Sequence, residues 1–417
     1  MIGALAASAV LSEQELRELL RLALAPIIVG REDVHSHKNL IGGAVRALVD
    51  DDKRKAVLED VSAGLSEVDM VRLLVLAPFG KNTWGLVDAL GEAAQAKYWS
   101  EVAPDWIHNW DAENNDGVER LLKARRPRAV FSCIRFHQGK LDAQVLFRLL
   151  SAMAEGGNDQ PGHYMIDQHN IAESFKHVNS SPALTLDQKA GLEFAYIDVL
   201  ARPWDRRHNY GIPNLERYVE AYPELFVQAI AWSYKRSDGA TDPTEFQVSP
   251  ERVQTMAERG YKLLEAIKRI PGHNDLSELK TNRLAKWIAT VRQSCAELDR
   301  TDVADICIGK MLSCAPVGED GVWPCEPVRD VLEDVRSESM LSGVHNGVYN
   351  SRGVHSRGVG EGGGQERDLA EKYRNWGQAL QVSHPFVSSK LLMGLANTYD
   401  HEASQVDTEV RIRRRLR

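Results

Sequence analysis

Residues 126–154, RPRAVFSCIRFHQGKLDAQVLFRLLSAMA, carry the clearest fold signal in the chain. Apolar side chains recur there every three or four residues, which is the pattern of a helix that buries one face. The second half of the stretch places Val145, Leu146, Leu149, Leu150 and Met153 in this rhythm. Pro127 suits the first turn of a helix, and the Gln-Gly-Lys sequence before Leu141 ends that helix. The stretch therefore predicts two successive helices that form a hairpin.

The same rhythm returns along most of the chain, whereas the alternation of apolar and polar residues that marks strands is scarce. It recurs in Leu16, Leu19, Leu20, Ala23 and Leu24, in Leu73, Leu74, Leu76 and Ala77, and in Leu263, Leu264, Ile267 and Ile270. The sequence predicts an all-α protein with more than half of its residues in helices. Tetratricopeptide and HEAT-like units are helix pairs of about 34 to 47 residues. We therefore expect a degenerate helical-repeat solenoid, with a multi-helix array as the alternative because no strict consensus recurs.

Composition excludes several broad classes. The 417 residues are 43% hydrophobic and 26% charged, with a net charge of −8, so a general affinity for nucleic acid is not expected. No stretch approaches the roughly 20 apolar residues of a membrane span. The opening MIGALAASAVLSEQE lacks the basic start of a cleaved signal, and the five cysteines are odd in number and scattered. These features indicate a cytoplasmic protein.

Polar and glycine-rich stretches divide the chain into five segments. We expect an N-terminal helical array over 1–155, a middle array over 163–236, a helical bundle segment over 249–336, a glycine-rich loop over 343–364 and a C-terminal helical pair over 365–417. In the last segment Leu369, Tyr373 and Trp376 share one helical stripe, so Trp376 is expected to be a packed core residue.

The glycine-rich segment 343–364, GVHNGVYNSRGVHSRGVGEGGG, has the least ordinary composition. So many glycines disfavour a helix, and the segment is longer than a helix connection needs. We expect a loop in which Arg352, His355 and Arg357 bind a partner and stay exposed. An anion site is the alternative, although Glu361 and Glu366 place negative charge where a phosphate would lie.

A second candidate partner site is the sequence Pro-Trp-Asp-Arg-Arg at residues 203–207. Tryptophan and arginine are favoured at interface hot spots, so Trp204, Arg206 and Arg207 are predicted to contact a partner. Packing between helices is the competing interpretation of such tryptophans.

Metal and catalytic candidates are weaker. His35 and His37 lack further ligands at a useful spacing, and the gaps between Cys307, Cys314 and Cys325 do not fit a zinc knuckle. Cys133 lies in an apolar stripe, which favours a core thiol over a nucleophile paired with His137. The densest titratable cluster is His163, His169 and His177 with Asp159 and Asp167. No metal, cofactor or catalytic residue is expected.

Four stretches resemble a known family: YWSEVAPDWI (98–107), RPRAVFSCIRFHQGKLDAQVLFRLL (126–150), YPELFVQAIAWSYKR (222–236) and NSRGVHSRGVGEGGGQERDLAEKYRNWGQAL (350–380). They look like the C-terminal helical-repeat region of large bacterial NACHT/STAND-like proteins of anti-phage and conflict systems. Such proteins carry an effector and an NTPase core upstream, and their repeats act as sensor or scaffold. The chain contains no GxxxxGK[ST] loop, so nucleotide hydrolysis is not carried over.

The expected function is therefore a protein-interaction scaffold or sensor arm of a larger bacterial defence or signalling system. Its partner would be another protein, such as an upstream effector or NTPase protein. The alternative is a hydrolase with its site at the glycine-rich loop or at the His163, His169 and His177 cluster. A nucleic-acid-binding solenoid is a third possibility and would need a continuous basic groove.

Overall fold

The computed structural model describes residues 13–28, 51–104, 110–135, 137–159, 164, 166–202, 209–272, 280–353, 358 and 361–415. The chain divides into two compact units, Met1–Leu184 and Thr185–Arg417. The boundary between the units falls inside the middle array expected over 163–236. Apart from the glycine-rich segment, the five expected segments stay a prediction.

Helices make up 72% of the described residues, and none of these residues lies in a strand. The prediction of an all-α chain with more than half of its residues in helices is confirmed for this part of the molecule. Its helical-repeat character stays a prediction. None of the described helices combines the length and the apolar character that crossing a membrane requires.

The described helices of the first unit are numbered in chain order. They are α1 (Glu13–Ile28), α2 (Asp51–Ser62), α3 (Glu67–Leu74), α4 (Lys81–Asp88), α5 (Glu92–Glu101), α6 (Ala112–Lys123), α7 (Pro127–Cys133), α8 (Ala143–Glu155) and α9 (Gln168–Ser180). A 3₁₀ turn, Gln138–Lys140, separates α7 from α8, as the hairpin prediction required.

The second unit continues the numbering. Its described helices are α10 (Leu186–Ala195), α11 (Ile197–Leu200), α12 (Pro213–Ala221), α13 (Pro223–Ser233), α14 (Val253–Ala266), α15 (Thr281–Glu297), α16 (Thr301–Leu312), α17 (Glu326–Val335), α18 (Glu338–Ser351), α19 (Gly364–Leu380) and α20 (Met393–Arg415). Short 3₁₀ turns lie at Thr244–Phe246 and Pro250–Arg252, and a π-helical segment, Val387–Leu392, precedes α20.

Helix starts follow local chemistry. Pro127, Pro213 and Pro223 each occupy the first turn of their helix, where the missing N–H costs nothing. Asp142 caps α8, and Thr185 forms a reciprocal capping box with Gln188 at the start of α10. These sites let the sequence place helix boundaries to within a few residues.

A buried arginine holds the first unit together near α5 and α7. The Arg126 guanidinium donates to the carbonyls of Trp99 (3.1 Å) and Val102 (2.6 Å), which lie at the end of α5. It also pairs with Asp159 at 3.3 Å, and that carboxylate accepts the Arg128 backbone N–H at 2.6 Å. The arginine thus satisfies carbonyls that a helix end leaves open.

The first half of the predicted glycine-rich loop is helical, which corrects the expectation for residues 343–351. These residues belong to α18, which packs closely against α16. A Cβ at Gly343 would overlap the Ile306 carbonyl, and one at Gly309 would overlap the Met340 carbonyl. The glycines therefore allow two helix backbones to approach, and the packing gained offsets their low helix propensity. Residues 354–357, 359 and 360 lie outside the described part.

Candidate anion-binding cleft

Arg352 follows the last residue of α18, and its charge is already matched inside the protein. Its guanidinium pairs with Glu366 of α19 and, at 3.3 Å, with Glu402 of α20. It also lies 5.5 Å from the centroid of the Tyr399 ring. The Arg352 side chain is 13% exposed and that of Glu366 is fully buried. The expectation that Arg352 is exposed is wrong, because it ties three helices together.

The other predicted partner-binding residues lie outside the described residues: His355, Arg357, Trp204, Arg206 and Arg207. Beside Arg352 the surface forms a cavity of about 330 Å³, whose rim includes Tyr349, Glu402 and Glu409. Its carboxylates disfavour an anion there.

The described residues of the histidine cluster do not come together at one site. His163 lies outside the described residues, as do His35 and His37, and His169 and His177 are exposed near opposite ends of α9. Eight residues of helix separate them by about 12 Å along the axis. Asp167 caps α9, and Asp159 is engaged by Arg126 and Arg128.

The described cysteines are free thiols. Cys133 is buried, and burial raises its pKa to about 12, so the core interpretation is confirmed and a reactive thiolate is disfavoured. Burial likewise raises the pKa of Cys307 to about 11. Among the residues that the structure describes, no group of histidine, cysteine, aspartate and glutamate is arranged to hold a metal ion.

One hydrogen-bonded chain in the second unit has the order of a catalytic triad. Ser383 Oγ lies 2.9 Å from His384 Nδ1, and His384 Nε2 lies 2.9 Å from Asp330 Oδ1. The first backbone N–H groups after His384, those of Phe386 and Val387, both donate to Glu333 and so cannot stabilise an oxyanion. We interpret these hydrogen bonds as a structural link between α17 and the residues that precede the π-helical segment.

The strongest candidate site is an open cleft of about 450 Å³ between α12, the start of α13 and α15, here called the basic cleft. It is lined by Arg217, Glu220, Ala221, Pro223, Gly272, Arg283, Lys286, Trp287 and Thr290. This volume falls in the usual range for ligand sites, about 300 to 1,000 Å³.

Two carboxylates of α12 fix one edge of the cleft. Glu216 accepts the backbone N–H groups of Lys268 (2.6 Å) and Arg269 (3.0 Å). One turn later, Glu220 pairs with the Arg269 side chain and accepts the Gly272 N–H at 3.2 Å. These bonds hold residues 268–272 against α12.

Gly272 can occupy this edge only because it lacks a side chain. Its φ is +103°, and a Cβ there would lie 2.6 Å from the Leu284 backbone nitrogen. Its carbonyl accepts the Lys280 N–H at 3.2 Å, which brings the start of α15 beside it.

Trp287 forms the floor of the basic cleft. Only 5% of this residue is exposed, its indole N–H donates to the Val219 carbonyl at 3.1 Å, and its ring meets Phe226 edge to face at 5.2 Å. The floor is therefore rigid and apolar, with Pro223 and Ala221 beside it.

The rim of the basic cleft is cationic. Arg217, Arg283 and Lys286 are exposed, and Glu220, the one carboxylate among the lining residues, is held by Arg269. The cleft thus concentrates positive charge in a chain whose net charge is −8. Such a site attracts anions and offers them an apolar surface.

None of the predicted partner-binding residues is among the lining residues of the basic cleft. The available signal was the spacing of Arg283, Lys286 and Thr290, which places them on one face of α15 with Trp287 beside them. Arg217 and Glu220 come from a distant part of the sequence, and no local pattern connects them to α15.

Comparison with protein-family models, with curated proteins and with solved structures found no match.

Proposed function

We propose that the chain is a protein-interaction scaffold, the recognition arm of a larger assembly, and that the basic cleft holds an anionic group of its ligand. The concentration of exposed cations around a rigid apolar floor supports this proposal most directly. The lining residues supply positive charge and an apolar surface, and these features suit the binding of a ligand better than the cleavage of a bond.

The place of such an arm in a bacterial defence or signalling system follows only from the sequence resemblance to NACHT/STAND-like proteins. In that setting the ligand would belong to an upstream effector or NTPase protein. The binding property can be tested before the partner is known, because the cleft residues predict the charge of the ligand.

Isothermal titration calorimetry with three anionic probes tests the proposal: polyglutamate, pyrophosphate and a short single-stranded DNA. We expect at least one probe to bind the full chain, with an affinity that falls as salt is added. Replacing both Arg217→Glu and Lys286→Glu should weaken that binding by at least about tenfold, because the reversed charges repel the probe.

The matched control is Lys235→Glu, which makes the same kind of charge change at an exposed residue outside the cleft. It should bind like the parent chain. If none of the three probes binds, or if the Arg217→Glu, Lys286→Glu chain binds them as tightly as the parent, the proposed function is wrong.

A further inference from the structure

An exposed aromatic residue adjoins the basic cleft in the sequence. Tyr222 lies between the lining residues Ala221 and Pro223 and is 51% exposed. Its ring packs against that of Tyr218, with centroids 4.6 Å apart, so it is held at the surface. Tyrosine, tryptophan and arginine are the residues most enriched at protein interfaces. Arg217 and Trp287 line the cleft, and Tyr222 is flanked in the chain by two further lining residues.

The cations of the cleft are spread along it. Arg283 and Lys286 stand one turn apart on α15, and Arg217 lies on α12. This arrangement suits several carboxylates carried along a chain better than a single phosphate.

The backbone offers little to a phosphate. Pro223 begins α13 and has no N–H, and the Gly272 N–H donates to Glu220. Phosphate sites usually combine several convergent backbone N–H groups at a helix start. The apolar floor of Trp287 and Pro223, in contrast, provides a place for an apolar side chain.

From these contacts we infer that the basic cleft binds an acidic peptide segment of a partner protein. Carboxylates of the segment pair with Arg217 and Lys286, and an apolar side chain between them packs over Trp287 and Pro223 against Tyr222. This inference rests on the proposed function and adds the chemical class of the ligand.

Fluorescence anisotropy with two labelled, capped peptides tests it on the full chain. One peptide is Glu-Glu-Leu-Glu-Glu and the other is Glu-Glu-Gly-Glu-Glu, so they carry the same charge. We expect the leucine peptide to bind about tenfold more tightly, because only it places an apolar side chain on the floor. Pyrophosphate should compete with it only weakly.

Variants of Tyr222 separate the aromatic contact from the charge. Tyr222→Ala should weaken the leucine peptide about tenfold while leaving the glycine peptide unchanged, and Tyr222→Phe, which keeps the ring, should bind like the parent. A melting curve for each variant verifies that it is folded.

The outcomes distinguish the inference of a peptide ligand from the proposed function on which it rests. If pyrophosphate or DNA binds through Arg217 and Lys286 while both peptides bind equally or not at all, the peptide inference is wrong and the anion cleft stands. If no anion binds through these residues, the proposed function itself is overturned.

Discussion

At the scale of single residues, Arg352 shows that a charge expected to face solvent can instead form ion pairs inside the fold. The sequence places this arginine between serine and glycine, which favours an exposed loop residue. Its two carboxylate partners, Glu366 and Glu402, lie 14 and 50 residues further along the chain. No local pattern connects them, so the sequence could identify Arg352 as unusual but could not predict that its side chain is only 13% exposed.

Replacing Arg352 with alanine should destabilise the protein by about 3 to 5 kcal/mol, because the buried Glu366 loses this guanidinium. Chemical denaturation measures the change. The matched control is Arg367→Ala, whose ion pair with Asp407 is exposed and should contribute about 1 kcal/mol or less. Equal stability losses in the two variants would show that the ion pairs of Arg352 stabilise the fold no more than an exposed pair does.

Trp376 and Trp323 lie 6.2 Å apart, measured between ring centroids, but differ in burial. Trp323 is 7% exposed, whereas Trp376 is only half-buried, with its indole N–H donating to the Gly321 carbonyl at 3.0 Å. Trp323→Ala should cost about 3 to 5 kcal/mol. Trp376→Ala should cost less, about 2 kcal/mol, because part of its ring already contacts water. Thermal melting of both variants tests this order. A lower melting temperature for Trp376→Ala than for Trp323→Ala would contradict it.

His345 is expected to make stability depend on pH. Burial lowers its pKa below the ordinary value of 6.5, and its Nε2 contacts Thr398 Oγ1 at 3.1 Å. Below pH 6.5 the unfolded chain therefore binds a proton more readily than the folded chain does, so the contribution of His345 to stability is lost as the pH falls. Melting curves at neutral pH and at pH about 5.5 should differ less for His345→Gln than for the parent. His401→Gln, at an exposed position, should leave the difference unchanged.

At the scale of elements, helix starts were predictable and the contact between α16 and α18 was not. Helix starts are indicated by proline, which is tolerated at the first turn, at Pro127, Pro213 and Pro223. The low helix propensity of Gly343 and Gly347 predicted a loop, yet both residues lie in α18. What decides their conformation is the neighbouring helix, and that neighbour is brought there by tertiary packing.

Alanine at Gly343 should destabilise the chain by about 1 to 3 kcal/mol, because the added Cβ overlaps the Ile306 carbonyl and forces α16 and α18 apart. Gly191→Ala is the matched control, since Gly191 lies in α10 and a Cβ there meets nothing within 4 Å. That change should stabilise by about 0.5 to 1 kcal/mol through helix propensity. A Gly343→Ala chain that gained stability as Gly191→Ala does would show that the two helices are not in close contact.

At the scale of the whole molecule, helical periodicity was sufficient to predict the class of fold but not the candidate site. The basic cleft combines α12, the segment held by Glu216 and Glu220, and α15. Its residues come from positions 217 to 290, and their charge is masked by the acidic total of the chain. Only the folded arrangement reveals that cations collect around Trp287.

The most direct test of the central claim is to locate a bound acidic peptide on the full chain. A carbodiimide joins a lysine amine to a carboxylate in contact with it, and mass spectrometry identifies the lysine. With the Glu-Glu-Leu-Glu-Glu peptide we predict that Lys286, at the rim of the basic cleft, is the main cross-linked residue. Cross-links concentrated on lysines outside the cleft, such as Lys235, with Lys286 unmodified, would contradict the assignment of this cleft as the binding site.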